Sequence, residues 1–377
     1  MHKIYSVVKL FLNNSDLRNN FVIHILGNPP QKIENRGMRV NKKVRLVDVA
    51  KHAGVSLKTV SNVVHNYTHV RPDMREKVQR SIDLLGYRPN LTARRLVTGK
   101  TGMIALAIPE TNHHYFSALA DAIVVAAEER GLRVLIEQTN GRADRELAVL
   151  RDREQGLVDG VIFQPAKVTS LEIATVQEDT PLVLLGEAAM PLSIDHVMID
   201  NVEAARASVS HLLNLGCRRI AFLGAVKDDN AGATIRRLSG YQYALDQAGL
   251  ILDPVLVLPV DNFSSQAAMR AIDSAIDSGL DFDAILCRDD RFAAAALQSL
   301  RAHDLRVPED VAVIGWDDTE LVEVTFPTLT AVAPDMSAIA ETAVQMLVER
   351  IDGQTGVGRH RLAPFALNIR ESAPGRI

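Results

Sequence analysis

Cysteine is nearly missing from this 377-residue chain: Cys217 and Cys287 are the only two, far apart and each in or beside an apolar run. That excludes a disulfide scaffold and any thiolate metal site with recognisable ligand spacing, and fits reduced thiols in a cytosolic protein. Aromatic residues are few, at 5%, with a single tryptophan, Trp316. No run of about 18 apolar residues occurs, so no membrane-spanning helix is expected. Val7–Leu12 is apolar but broken by Lys9, and no small-residue cleavage site comes after it, so a secretory signal is not expected. There is no activated nucleophile beside a base, no zinc-like spacing and no phosphate-cradling glycine loop, so neither an enzyme, a metal nor a cofactor is expected. Asp317 and Asp318 are adjacent, and neighbouring side chains diverge too far to act as a paired acid and base.

What the chain does have is an uneven charge. Its net charge of -4 hides a block over 38–100 with 14 basic and 4 acidic residues, whereas 101–377 carries a net charge of -17. A compact basic module on an acidic body is the footprint of a nucleic-acid binder with a separate domain that does not touch DNA. Inside the block, VRLVDVAKHAGVSLKTVSNVVHN (44–66) reads as helix, tight turn and helix. Leu46, Val49, Ala50 and Ala53 fall at helical spacing. Gly54 suits the left-handed stop, and Ser56 can cap the second helix. Val60, Val63 and Val64 face inward, leaving Leu57, Lys58, Thr59, Ser61 and Asn62 outward on an edge suited to a DNA major groove. Pro72 opens a third helix with Met74, Val78, Ile82 and Leu85 as its stripe.

From Met103 the pattern becomes strand–helix alternation. Strands are expected at Met103–Ile108, Arg133–Glu137, Gly160–Phe163, Leu182–Leu185, Arg219–Leu223, Ala284–Cys287 and Val311–Ile314, with helices between. This predicts parallel sheets with right-handed crossovers, split into two lobes with a ligand cleft at the strand ends. The expected organisation is therefore an extension without stable structure at 1–43, a helix-turn-helix headpiece at 44–89, a hinge helix and linker at 90–102, and a two-lobed effector-binding and dimerisation domain at 103–377. Residues 1–37 look foreign to the rest of the chain, as if translation began at Met38.

Several stretches together resemble the LacI-type (lactose/galactose-repressor) family of bacterial transcription regulators. They are DVAKHAGVSLKTVSNVV (48–64), REKVQRSIDLLGYRPNLTARRL (75–96), HLLNLGCRRIAFLG (211–224), RRLSGYQYAL (236–245) and DVAVIGWDDTEL (310–321). The resemblance spans Val44 to about Ala373. It implies an all-α headpiece joined to an α/β core of two doubly wound lobes, like a periplasmic sugar-binding protein. It also implies a homodimer on pseudo-palindromic double-stranded operator DNA. A small effector in the cleft, a sugar in the leading reading, controls DNA binding.

By that resemblance Leu57, Lys58 and Asn62 read bases, and Ser56, Thr59 and Ser61 meet phosphates. Leu57 either reads a thymine methyl or only fills space. Ala93, Arg94 and Leu96 belong to a hinge piece too short to be stable alone; Leu96 is the implied minor-groove wedge. Tyr115, Phe116, Arg237, Phe263, Asp289 and Asp317 are the implied effector contacts, aromatic faces and charged groups that suit a sugar. Arg237 paired to an aspartate and Phe263 in the core are the structural alternatives. Asp289 stands where the family often has Asn. Gly186, with Glu187 after it, stands where many sugar-responsive members have Asp. No leucine heptad extends beyond NIRESAPGRI, so a dimer is implied rather than a tetramer. The competing readings are a corepressor-dependent regulator binding a purine-like ligand, and a solute-binding protein of the same core fold.

Overall fold

The computed structural model describes residues 44–64, 67, 69–87, 99–152, 156–175, 181–187, 191–225 and 232–375. The chain divides into two compact units, Met1–Pro89 and Asn90–Ile377.

In the first unit three helices form one small core. Helix α1 (Leu46–Ala53) starts where the Asp48 carboxylate accepts the Arg45 backbone N–H at 2.8 Å, and stops at Gly54 with φ 60°. Helix α2 (Leu57–Val64) begins behind Ser56, whose Oγ accepts the Thr59 N–H at 3.1 Å. Helix α3 (Pro72–Leu85) has proline in its first turn, where no backbone donor is needed, and ends at Gly86 with φ 61°. Val49, Ala53, Val60, Val63, Val78 and Tyr87 meet between the helices. The apolar spacing read from the sequence is the spacing that packs.

The second unit is built on two six-stranded sheets. The first has the order β11-β5-β4-β3-β1-β2, with β1 (Met103–Ile108), β2 (Arg133–Gln138), β3 (Gly160–Phe163), β4 (Leu182–Leu185), β5 (Asp195–Ile199) and β11 (His360–Ala363). The second has the order β12-β10-β9-β8-β6-β7, with β6 (Ile220–Ala225), β7 (Val257–Pro259), β8 (Ala284–Cys287), β9 (Ala312–Trp316), β10 (Thr330–Pro334) and β12 (Phe365–Asn368). Every pairing is parallel except that of β12 with β10. Central strands such as Gly160–Phe163 and Ala284–Cys287 are buried along their whole length, as continuous apolar runs covered on both faces by helices require.

The helices of this unit are α4 (His114–Glu128), α5 (Ala143–Asp152), α6 (Ser170–Thr175), α7 (Asn201–Leu215), α8 (Gly232–Gln247), α9 (Ser265–Asp277), α10 (Asp290–Ala302), α11 (Leu321–Val324) and α12 (Met336–Ile351). Two of them sit close because glycine leaves room. A Cβ on Gly240 of α8 would lie 2.1 Å from the Val202 carbonyl oxygen of α7. The chain passes from the first sheet to the second after β5, returns through α12 to β11, and crosses again into β12. Three crossings bring Ile199, Asn201 and Pro334 to the seam between the lobes, where a cavity opens.

Candidate ligand cavity and nucleic-acid interface

The cavity between the two sheets has a volume of about 300 Å³, at the lower end of the range of small-molecule sites. Tyr115, Phe116, Arg237, Phe263, Asp289 and Asp317 all line it. They arrive from strand ends and helix starts, where an α/β sheet ordinarily presents its ligand groups.

Tyr115 and Phe116 open α4, their rings edge to face with centroids 5.2 Å apart. Burial, and next the Asp317 charge, raise the Tyr115 phenol far above its ordinary range, so it stays a hydroxyl; Gln164 is its hydrogen-bond partner. Arg237 lies on α8 with its guanidinium 3.9 Å over the Trp316 ring. Its Nε donates to Asn201 Oδ1 at 2.7 Å, and Nη1 donates to the Arg288 carbonyl. Burial lowers the Arg237 pKa to about 10, which still leaves it charged at neutral pH. Arg237 is held by Asn201 and Trp316 while lining the cavity, and Phe263 carries the Arg288 guanidinium 3.7 Å over its ring.

Asp317 comes directly after β9 with φ 96°, and Asp318 has φ 51°, left-handed conformations that non-glycine residues adopt only when the surroundings impose them. The Asp317 N–H donates to Val332 O at 2.8 Å, and the Asp318 carboxylate takes Asn368 Nδ2 at 2.6 Å and Arg370 Nη1 at 2.5 Å. The turn thus anchors Asp318 and leaves Asp317 lining the cavity. Asp290 stands behind it and accepts the Thr319 N–H and hydroxyl at 2.8 and 3.0 Å. Burial raises both Asp290 and Asp317. Asp317 further raises Asp290, whereas Arg237 opposes the rise of Asp317.

Asp289 has both oxygens engaged. Oδ1 accepts the Phe292 N–H at 2.9 Å, capping α10; Oδ2 takes Arg288 Nη1 at 3.0 Å and lies 3.6 Å from His113 Nε2. Burial pushes its pKa up, but His113 and the neighbouring arginines outweigh burial and hold it well below the ordinary carboxylate range.

The lining also includes His113, Gln164, Glu187, Asn201, Arg288 and Trp316, which were not among the sequence-derived contacts. Gly186 explains two of them. It has φ 72°, and a Cβ there would stand 3.0 Å from Gln164 Nε2. Gln164 therefore fills the space a side chain at 186 would take, and the next residue, Glu187, lines the cavity instead. Burial raises the Glu187 pKa. The departure at LLGEAAMP was the signal that could have pointed to Glu187; nothing in the sequence marked Gln164. Five lining residues carry buried polar atoms without a partner among the described residues: Gln164 Oε1, Glu187 Oε2, Arg288 Nε, Arg291 Nε and Trp316 Nε1.

In the headpiece, Leu57 is 52% exposed and Lys58 is exposed, while Thr59, Ser61 and Asn62 are half-buried. Ser56 and Thr59 are also hydrogen-bonded to each other through their hydroxyls at 2.8 Å. Asn62 accepts the Tyr67 N–H through its backbone carbonyl at 2.9 Å. Ala93, Arg94 and Leu96 lie outside the described residues, as do 1–43. No helix among the described residues is long and apolar enough to cross a membrane.

Two family models match the chain. Residues 45–90 match bacterial regulatory proteins of the lacI family, and 209–373 match a periplasmic binding protein-like domain. The HTH-type transcriptional regulator CelR of Thermobifida fusca is 33% identical over 354 residues, covering 89% of this chain and 100% of that protein. A solved CelR–cellobiose complex is 30% identical, covers 87% of this chain and 99% of that chain, and superposes with a TM-score of 0.66. The lac repressor dimer bound to operator and an anti-inducer is 25% identical, covers 89% and 100% of the two chains, and gives a TM-score of 0.77.

Proposed function

Because this chain belongs to the LacI family of bacterial transcription regulators, we propose that it is a repressor of sugar-utilisation genes, with operator affinity set by a sugar in the interlobe cavity. The relatives are ligand-controlled DNA-binding regulators and not enzymes, and so is this protein. The observation that carries the sugar reading is the mixed lining of the cavity. The rings of Tyr115, Phe116 and Phe263 share it with the amide of Gln164, the guanidinium of Arg237 and the carboxylate of Asp317. A ring with hydroxyls around its edge and C–H groups on its faces meets both demands. Cellobiose bound to CelR is consistent with a ligand of this chemistry.

Tyr115, Phe116, Arg237, Phe263 and Asp317 are the proposed effector contacts. Leu57, Lys58 and Asn62 are the proposed base readers, with Ser56, Thr59 and Ser61 at phosphates, in a homodimer on a two-fold related site in the cytoplasm. A ligand that binds one lobe arrangement better than another shifts the population competent for DNA. A coupling of 1–3 kcal/mol changes operator affinity roughly 5- to 150-fold.

Trp316 is the only tryptophan and lines the cavity, so its emission reads occupancy directly. The test titrates the full chain with cellobiose, other disaccharides, monosaccharides and purine bases, then repeats operator anisotropy with each binder. A saturable change with a sugar that also alters operator affinity supports the reading. A response to purines alone replaces it with a corepressor.

A further inference from the structure

The contact between His113 and Asp289 joins the two lobes directly. His113 lies between β1 of the first sheet and α4, whereas Asp289 lies between β8 of the second sheet and α10. Their side chains are 13% and 3% exposed, and the separation of His113 Nε2 from Asp289 Oδ2 is 3.6 Å. Each is fixed from behind by its own helix. His113 Nδ1 accepts the Tyr115 N–H at 3.3 Å, which makes Nδ1 the unprotonated nitrogen and leaves the ring proton on Nε2, the atom aimed across the seam. Asp289 Oδ1 caps α10 through the Phe292 N–H, which leaves Oδ2 for Arg288 and His113. Both oxygens thus have protein partners already, and Oδ2 is the one that faces His113. A second seam contact lies at Gly232 of α8, where an added Cβ would fall 1.9 Å from the Glu187 carbonyl oxygen. The lobes therefore touch here as well, and Arg236 Nε of α8 lies 3.9 Å from Glu187 Oε1 beside this point.

We propose that Asp289 and His113 form an interlobe latch that holds the ligand cleft closed, so that Asp289 governs effector affinity through the population of the closed form and not by touching the effector. A residue that preorganises a closed site raises apparent affinity by raising the fraction of binding-competent molecules. Breaking the latch lowers that fraction and exposes the cavity floor, Trp316 included. The latch deepens, and rests on, the effector-cavity reading of the same site.

The test needs no effector. Trp316 is fully buried and is the sole tryptophan, so acrylamide quenching of the ligand-free, full-length protein measures how often the cleft opens. Asp289→Asn and His113→Asn both keep a side-chain acceptor for their helix cap, so neither removes the cap. The expected result is at least a twofold rise in the quenching constant for each variant, no further rise in the double variant, and melting temperatures and far-ultraviolet spectra like those of the wild type. Quenching unchanged in either single variant, or effects that add in the double variant, overturns the latch. The sugar screen is a separate experiment. A protein that binds no sugar can still show the latch, and a sugar-responsive one can lack it.

Discussion

The Arg237 guanidinium lies over the Trp316 ring, 3.9 Å from its centroid, with Nε held by Asn201 at 2.7 Å. Asn201 sits at the first crossing between lobes and Trp316 at the end of β9. One side chain thus ties the crossing point to the cavity floor. Lysine can keep the charge but neither the stacking nor the directed fork of donors. Arg237→Lys is expected to weaken effector binding at least tenfold, about 1.4 kcal/mol or more, and to leave operator affinity without effector within about twofold. Trp316 titration and operator anisotropy on the same sample check both.

Asp290 and Asp317 give the protein a stability slope of unusual sign. An acid whose folded pKa is raised holds its proton more tightly when folded. That contribution is full below the ordinary carboxylate range near 4 and is lost as pH rises through the raised native value. Both groups are raised, chiefly by burial. Asp289 and Asp195 are depressed, so their contributions are lost only on the acid side of that range. Asp290→Asn is expected to gain on the order of 1–3 kcal/mol relative to wild type between pH 5 and pH 7.5. Thermal melts of both proteins across that interval read the difference; parallel pH dependences refute it.

Base reading is separable from phosphate contact by its signature. Lys58→Ala is expected to cost roughly 1–3 kcal/mol on the preferred operator and to relax selection at one base position in each half-site. A phosphate contact would weaken all sequences about equally. Selection from a randomised pseudo-palindromic library, run with wild type and variant, distinguishes the two. The same experiment with Asn62→Ala is expected to relax a different position.

Asp195 is enclosed by two arginines: Arg350 at 2.8 and 2.9 Å and Arg359 at 2.6 Å through Nη2. Burial opposes its ionisation, yet these bonds keep it well below the ordinary carboxylate range. Arg350 comes from α12, and Arg359 directly precedes β11, so the carboxylate fastens both to β5. Asp195→Ala removes the carboxylate both arginines share, leaving Arg359 with Glu349 and Arg350 with backbone carbonyls, and the expected loss is about 3 kcal/mol. That corresponds to a fall in melting temperature of roughly 6–12 °C, measured by calorimetry.

Several strands with apolar interiors were legible because both faces are buried, although β5 and β10, also buried, were not among them. Met103–Ile108, Gly160–Phe163, Leu182–Leu185 and Ala284–Cys287 have the limits their apolar runs indicate. The polar or very short strands His360–Ala363, Phe365–Asn368 and Val257–Pro259 carried no such signal, since their pairing comes from the rest of the sheet. Helix α4, His114–Glu128, begins ahead of its buried stripe, which starts at Leu119, because the His113 ring supplies a cap that composition does not announce. In the cavity, aromatic and charged positions next to recognisable motifs were found. Gln164 and His113 were not, because each is placed by a partner distant in sequence.

The crossings of the chain also order its synthesis. Strands β1 to β5 leave the ribosome first, but their sheet lacks its last strand, β11, and the helix α12 that covers it until residue 363 has emerged. By then nearly all of the other lobe has been made. The nascent first lobe must wait with the apolar faces of β3 and β4 uncovered by α12. A ribosome stalled anywhere between residues 200 and 335 carries a half-built lobe. No cut of the chain into two contiguous fragments yields both lobes whole.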